Sequence, residues 1–182
     1  MTTVQAETAI PTGVWKSDPV HSQVGFGVKH MVVATFRGTF TDFGVTLANE
    51  DGEPRLYGAV RTDSVQVRDE NLRGHLLSPE FFDSERYPEL TFTSTGIRAD
   101  GGELVVDGEL TIKDETKQVE ARGRISGPVA DVAGGDRIGI DLETQVDRTE
   151  FGLNWNAPLP SGGVAVQNEV TLTVHLELAR EE

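Results

Sequence analysis

Four histidines, His21, His30, His75 and His175, are the side chains best suited to proton transfer or metal ligation near neutral pH. No two are spaced as HxH or HxxxH, so neither a strand nor a helix presents a ready pair of metal ligands. The chain has no cysteine, which removes disulfides, thiolate nucleophiles and cysteine–metal sites. No GxSxG, P-loop or GxGxxG element is present. His21 stands beside Asp18 and Ser22, which suits a local hydrogen-bonding role, and His175 falls on the polar phase of a strand, facing solvent. His30 and His75 each fall on an apolar face. A structural role is the simpler expectation for both, and meeting at one barrel mouth they would form the polar end of a ligand site. Asp107, Glu109, Asp141 and Glu143 fall on outward phases, as solvated carboxylates do. Asp147-Arg148-Thr149-Glu150-Phe151-Gly152 mixes charge with an aromatic ring at a strand boundary and is expected to hold a structural ion pair. Nothing here specifies an enzyme, a metal or a catalytic residue.

The elements that must position these residues are strands. Val24-Gly25-Phe26-Gly27-Val28, Leu90-Thr91-Phe92-Thr93, Ile138 to Glu143 and Val170 to Leu178 all alternate apolar with polar or small residues. Successive side chains on a strand point to opposite faces, so each run has one greasy and one wet side. Many such runs in one chain predict an all-β fold, an antiparallel up-and-down barrel of about eight strands. Phe36, Gly38 and Phe40 share one phase and Phe43, Val45 and Leu47 the other, which predicts a bulge or bend at Thr41-Asp42. Residues 66–83 break the pattern: Leu72, His75 and Leu76 stand at i, i+3 and i+4, predicting a short helical insertion. Residues 1–12 are expected as a flexible leader and 13–180 as one barrel domain.

Composition narrows the partners. The chain has 182 residues, with 16 Lys and Arg against 30 Asp and Glu, a formal net charge of −14. Nucleic acid is excluded as a natural partner by that charge, and anionic surfaces are repelled. No stretch approaches about 18 consecutive apolar residues, so no membrane-spanning helix is expected. The first eleven residues lack the basic and apolar regions of a signal peptide, so a cytoplasmic location is expected.

The interior of the barrel is the functional question. Inward-phase positions are large at Phe26, Phe40, Phe92, Leu104, Leu110, Leu142, Leu172 and Leu176 but empty at Gly58, Gly108 and Gly123. Inward glycines mark either sharp bends or unfilled space for a ligand. Leu72, Leu76, Leu77, Phe81 and Phe82 form an apolar cluster outside the strands, a plug or a lid for one end of the barrel.

Six motifs occur in order. They are Asp18-Pro19-Val20-His21-Ser22 leading into Val24 to His30, Phe36-Arg37-Gly38-Thr39-Phe40-Thr41-Asp42-Phe43, Arg73-Gly74-His75-Leu76-Leu77-Ser78-Pro79-Glu80-Phe81-Phe82-Asp83, Tyr87-Pro88-Glu89-Leu90-Thr91-Phe92-Thr93-Ser94, Gly108 to Lys117, and Arg148-Thr149-Glu150-Phe151-Gly152-Leu153. Over about residues 14–178 the chain resembles the YceI-like family. The resemblance implies a lipocalin-like barrel that binds polyisoprenoid lipid in an elongated apolar tunnel. Gly74, Leu77 and Asp114 depart from the family pattern, where Asp, Arg and Gly are common, which removes an ion pair from the helical insertion.

The expected function is therefore binding, storage or transport of a long-chain isoprenoid of polyprenyl or isoprenoid-quinone type, with no cofactor beyond such a bound lipid or quinone. The expected wall residues are Val24, Phe26, Val28, Phe36, Phe40, Phe92, Leu104, Val106, Leu110, Phe151, Leu153 and Trp155, with Leu72, Leu76, Phe81 and Phe82 at the lid and His30 and His75 at the polar end. Two alternatives stay open: an enzyme that uses the barrel as a chamber for an apolar substrate, and a filled barrel acting as an interaction module, as a homodimer through an exposed strand edge or apolar patch.

Overall fold

A computed structural model describes residues 9–182 of the chain. Among them are the strands β1 (Gly13–Ser17), β2 (Gln23–His30), β3 (Ala34–Phe40), β4 (Phe43–Asn49), β5 (Arg55–Arg61), β6 (Val65–Gln66), β7 (Glu89–Asp100), β8 (Glu103–Ile112), β9 (Glu115–Ala130), β10 (Asp136–Asp147) and β11 (Val166–Arg180). One helix, α1 (Glu70–Leu77), interrupts them. All pairings are antiparallel, and the sheet closes because β11 pairs back onto β1.

The eleven segments occupy eight positions around the barrel. β11 spans 15 residues and carries two partners on one edge, β2 along Val166–His175 and β1 along Leu178–Arg180. Thus β1 and β2 are two halves of one strand position, separated by the turn at residues 18–22. The break propagates outward. β3 lies on β2 and β4 on β1, with the expected interruption at Thr41-Asp42; β6 lies on β3 and β5 on β4, joined by a 3-10 turn at Thr62–Ser64. The phase change at Thr41-Asp42 is what lets Phe40 and Phe43 both face inward across the kink.

The corner is bolted by charge. The Asp18 amide donates to the Glu177 carbonyl at 2.8 Å. Arg137 Nη1 reaches Asp18 Oδ2 at 2.9 Å and Glu177 Oε1 at 3.2 Å, while its Nη2 reaches Asp131 at 2.9 Å. His21 Nδ1 lies 3.0 Å from Asp18 Oδ2, the local role expected of it. Asp18, His21 and Glu177 offer ligand atoms within 4.8 Å of one another, but both carboxylates already pair with the Arg137 guanidinium, so the group is an ion-pair bolt.

Two apolar clusters divide the interior. One gathers Trp15, Leu47, Leu56, Leu104, Val106, Ile125, Ile138, Ile140 and Leu178 at the β1–β4 end. The other gathers Phe40, Val65, Leu76, Phe81, Phe82, Leu110, Ile112, Val146, Phe151 and Leu153 toward β2, β3 and α1. Phe92 touches both. Residues 1–8 of the expected leader lie outside the described residues. Beyond them, Ile10 packs on the first cluster, its carbonyl accepts from Asn49 Nδ2 at 3.0 Å, and the Thr12 carbonyl accepts from the Trp15 indole at 3.1 Å. The segment 10–12 therefore caps the filled end of the barrel.

The inward glycines do not open space. A Cβ on Gly123 would lie 1.7 Å from the Asp141 carbonyl oxygen, and one on Gly108 would lie 2.3 Å from the Phe92 ring. At Gly58 the Gly44 carbonyl oxygen stands 2.6 Å away. These are places where a neighbouring backbone or ring fills the room a side chain would need. Gly123→Ala is expected to destabilise the fold by about 3 kcal/mol or more through overpacking against backbone, read as a lower urea midpoint with unchanged slope.

The corner also has a pH signature. The hydrogen bond from His21, with those from the Val20 amide and Arg137, holds the Asp18 carboxyl well below its ordinary value of 3.8. The Asp18 carboxylate in turn raises the His21 imidazole above its ordinary 6.5. A lowered carboxyl stabilises the fold above its unfolded value and loses that as pH falls through the folded one; a raised imidazole stabilises below its unfolded value and loses that as pH rises through the folded one. The bolt is thus complete between pH 3.8 and pH 6.5. In His21→Gln, the part of the stability decline above pH 6.5 that comes from this ring should disappear, as measured by denaturation at a series of pH values.

Candidate ligand-binding site

The second cluster is not filled. It surrounds a cavity of about 530 Å³, within the range of about 300–1,000 Å³ typical of small-molecule sites. β2 supplies Phe26, Val28 and His30; β3 supplies Ala34, Thr35, Phe36 and Phe40; β7, β8 and β10 supply Leu90, Leu110, Ile112 and Val146; β11 supplies Val166, Val170 and Leu172. Except for Thr35, which lies at the mouth on the opposite phase, these positions share the inward phase of their strands, the direct consequence of period-two alternation.

Helix α1 completes the wall beside β6, which pairs with β3 on one edge and with no strand on the other. Asp69 caps it, accepting from the Leu72 amide at 2.8 Å. Arg73 ties it to the 3-10 turn and β6, with Nε on the Val65 carbonyl at 3.1 Å and Nη2 on the Asp63 carbonyl. Leu72, His75 and Leu76 then face the cavity together, as their i, i+3, i+4 spacing requires. The following residues form a hydrogen-bonded turn, with the Phe81 and Asp83 amides both donating to the Ser78 carbonyl, and this aims Phe81 and Phe82 at the same space.

Aromatic rings make most of one side. Phe26 lies 5.8 Å from Phe40 and 6.2 Å from Phe36 between centroids, and Phe82 lies 5.8 Å from Phe40 in an edge-on arrangement. His75 sits edge-on between Trp155, at 4.8 Å, and Phe81, at 4.9 Å. Its Nε2 pairs with the Glu80 carboxylate. His30 lines the same cavity from an exposed position at the end of β2. The two histidines expected at a polar end thus belong to one cavity wall.

Five expected wall residues do not line it. Leu104 and Val106 belong to the filled cluster, where Ile10, Leu47, Leu56 and Ile140 around them leave no room for a water molecule. Phe92 separates the two halves, its ring occupying the place a side chain on Gly108 would take. Val24 packs behind the wall, and Phe151 is buried in the 3-10 turn Arg148–Phe151. Alternation identifies the inward face but not the depth along the barrel axis. For the same reason the elongated tunnel implied by the family resemblance is here a cavity confined to one half of the barrel.

Arg148 corrects the ion pair expected near Asp147. Its side chain is 6 % exposed and lines the cavity. The guanidinium donates from Nε to the Gln167 carbonyl at 2.9 Å, from Nη1 to those of Leu153 and Trp155 at 2.6 and 2.9 Å, and from Nη2 to that of Val166 at 3.3 Å. Burial pushes its pKa below the ordinary arginine value. Asp147 turns the other way and caps the 3-10 turn, accepting from the Thr149 amide at 2.9 Å and hydroxyl at 2.6 Å. Those two bonds hold its carboxyl below the usual range. Arg148 therefore clips the loop 152–166 to β11. A charged residue beside a strand end carries no sequence signal of burial, whereas Ile112, Val146, Val170 and Leu172, also absent from the expected wall, were visible through their phase.

Arg148→Gln is expected to lower stability by about 3 kcal/mol, because buried carbonyls lose charge-assisted donors. Arg148→Lys should not restore it, since an ammonium cannot span the same fork of acceptors. Urea denaturation of the two variants checks both statements.

Comparison with known proteins agrees with this architecture. The Protein YceI of Escherichia coli O157:H7 is 32 % identical over 136 residues, covering 73 % of this chain and 71 % of that protein. The Protein YceI of Salmonella newport is 31 % identical over the same length. Among solved structures, Burkholderia cenocepacia BcnA superposes with a TM-score of 0.76 at 22 % identity, covering 88 % of this chain and 98 % of that one. A polyisoprenoid binding domain from Saccharophagus degradans, implicated in plant cell wall breakdown, superposes with a TM-score of 0.70 at 12 % identity over 94 % of this chain and all of that one. At these identities the structural matches establish the barrel fold alone. The YceI-like domain model matches residues 15–178, nearly the whole described barrel, and the chain belongs to that family.

Proposed function

We propose that this protein binds and carries a long-chain isoprenoid, of polyprenyl or isoprenoid-quinone type, in the cavity between β2, β3 and α1. The observation that carries this is the wall. In a space of about 530 Å³ the polar side chains are Thr35, His30, His75 and Arg148, and Arg148 is committed to backbone carbonyls. Such a surface recognises hydrocarbon. Each buried CH₂ contributes about 0.8 kcal/mol, so a few isoprene units offset an association cost of about 4–15 kcal/mol. The branched methyls of an isoprenoid suit aromatic walls like Phe26, Phe36, Phe40 and Phe82. Because the other half of the barrel is packed solid, the chain enters from one end and stops near Phe92. A polyisoprenoid binding domain with the same fold supports the ligand class. Binding rather than catalysis is favoured because the cavity holds no nucleophile paired with a base.

Native mass spectrometry of the purified protein, followed by solvent extraction, tests this. The expected result is a one-to-one adduct whose mass matches a prenyl lipid, present on purification or formed on incubation. An apo mass before and after incubation with prenyl lipids would overturn it. Phe26→Asp, which places an unpaired charge in the apolar wall, should abolish the adduct while the protein stays folded by circular dichroism.

A further inference from the structure

The hairpin that joins β2 to β3 ends in Met31, Val32 and Val33, which are 42 %, 62 % and 86 % exposed. The turn is strained as well as greasy. Met31 has φ of 53° and Val32 of 66°, the left-handed region that a β-branched side chain avoids. Tight hairpin turns with these angles ordinarily use Asn or Gly, and a merely connective turn in water has no need of three bare apolar residues here.

The tip adjoins the cavity. His30, Ala34 and Thr35, on either side of it, line the opening, and His30 and Ala34 are exposed. The Met31 amide donates to the Ala165 carbonyl at 2.8 Å, which fastens the tip to the loop 157–165. That loop carries exposed Pro158 and Pro160 and adds Ala165 to the cavity wall, while Val164 turns to a shallow depression it shares with Asp147 and Glu169.

Charge marks the face out. In a chain with 30 Asp and Glu, residues 19–41 contain none and carry Lys29 and Arg37, and residues 151–168 contain only Glu-free, Lys- and Arg-free sequence with no Asp. The carboxylates beside these segments, Asp147 and Glu169, gather around Val164 on the side of the loop away from the tip. Among the other exposed apolar side chains, Val20 stands in a turn with Asp18, Val129 and Val132 flank Asp131 at the end of β9, and Tyr57 lies on β5. Exposed hydrocarbon, flanking cations and absent anions together are the surface of a protein element that lies in a lipid interface, its long basic side chains reaching the headgroup level.

We propose that the Met31–Val33 tip and the adjoining loop 157–165 dock on a lipid bilayer, setting the cavity mouth against the membrane so that an apolar chain passes between them without crossing water. The purpose of docking rests on the isoprenoid function proposed above; the docking itself rests on the face.

Flotation of the full chain with phosphatidylcholine vesicles tests it, alongside uptake of a fluorescent geranylgeranyl probe in vesicle-free buffer. Wild-type protein is expected to float. The double variant Val32→Asp, Val33→Asp should lose at least about tenfold in vesicle affinity with probe uptake unchanged. Val32→Asn should melt at a higher temperature, because Asn tolerates the positive φ, and yet float less. Failure of the wild type to float, or flotation of the double variant at wild-type level, overturns the proposal. So does a wild-type dimer in sedimentation velocity that the double variant dissociates, since the tip would then be covered by a second copy. Flotation without probe uptake would overturn isoprenoid binding and leave the docking face supported.

Discussion

Closure of the sheet through β11 is the constraint on which the rest of this structure depends. A closed barrel has no free edge, so every inward side chain must be accommodated within one fixed girth. β11 meets that demand by carrying β1 and β2 in succession along one edge. The step between them, at residues 18–22, sets the kinks in the next two strand positions as well. Arg137, Asp18, Glu177 and His21 hold the step by ion pairs that are partly open to solvent. Exposed pairs of this kind contribute modestly to stability; their value here is that they fix where the strand path turns.

The kink divides one interior into two with opposite properties. On the β1–β4 side, branched aliphatic residues from facing strands interlock around Trp15 and leave no void. On the β2–β3 side the inward residues are rings held apart by the strand path, and α1 roofs the gap rather than filling it. Phe92, seated over Gly108, is the partition. Close packing in one half supplies the rigidity that lets the other half stay open, because interiors packed like organic crystals do not deform to fill a neighbouring space.

Polar chemistry enters the open half sparingly and with its hydrogen bonds arranged. Arg148 satisfies two carbonyls of the loop that forms one lip and two of β11, and the His75 ring is fixed by Glu80 and by two aromatic neighbours. Each builds the wall while presenting apolar or ring surface to the cavity. The lip they support is continuous, through the Met31 amide and the Ala165 carbonyl, with the strained hairpin tip. Binding site and outer face are therefore one mechanical unit.

Much of this was legible before any coordinates. Period-two alternation determined the strands and their inward faces; the phase slip at Thr41-Asp42 showed a break; the spacing of Leu72, His75 and Leu76 showed a helix with one apolar side. Those are local properties, dictated by where successive Cβ atoms point. Only the tertiary structure decided the depth of each residue. Leu104, Val106 and Leu110 alternate identically along β8, yet the first two are core and the third is cavity wall, because depth depends on stagger between strands distant in sequence. The inward glycines read equally as holes or sharp bends, and only the Asp141 backbone and the Phe92 ring beside them show close approach instead. Arg148 read as half of a structural ion pair because its partners are backbone carbonyls, which every residue has and no sequence pattern can mark.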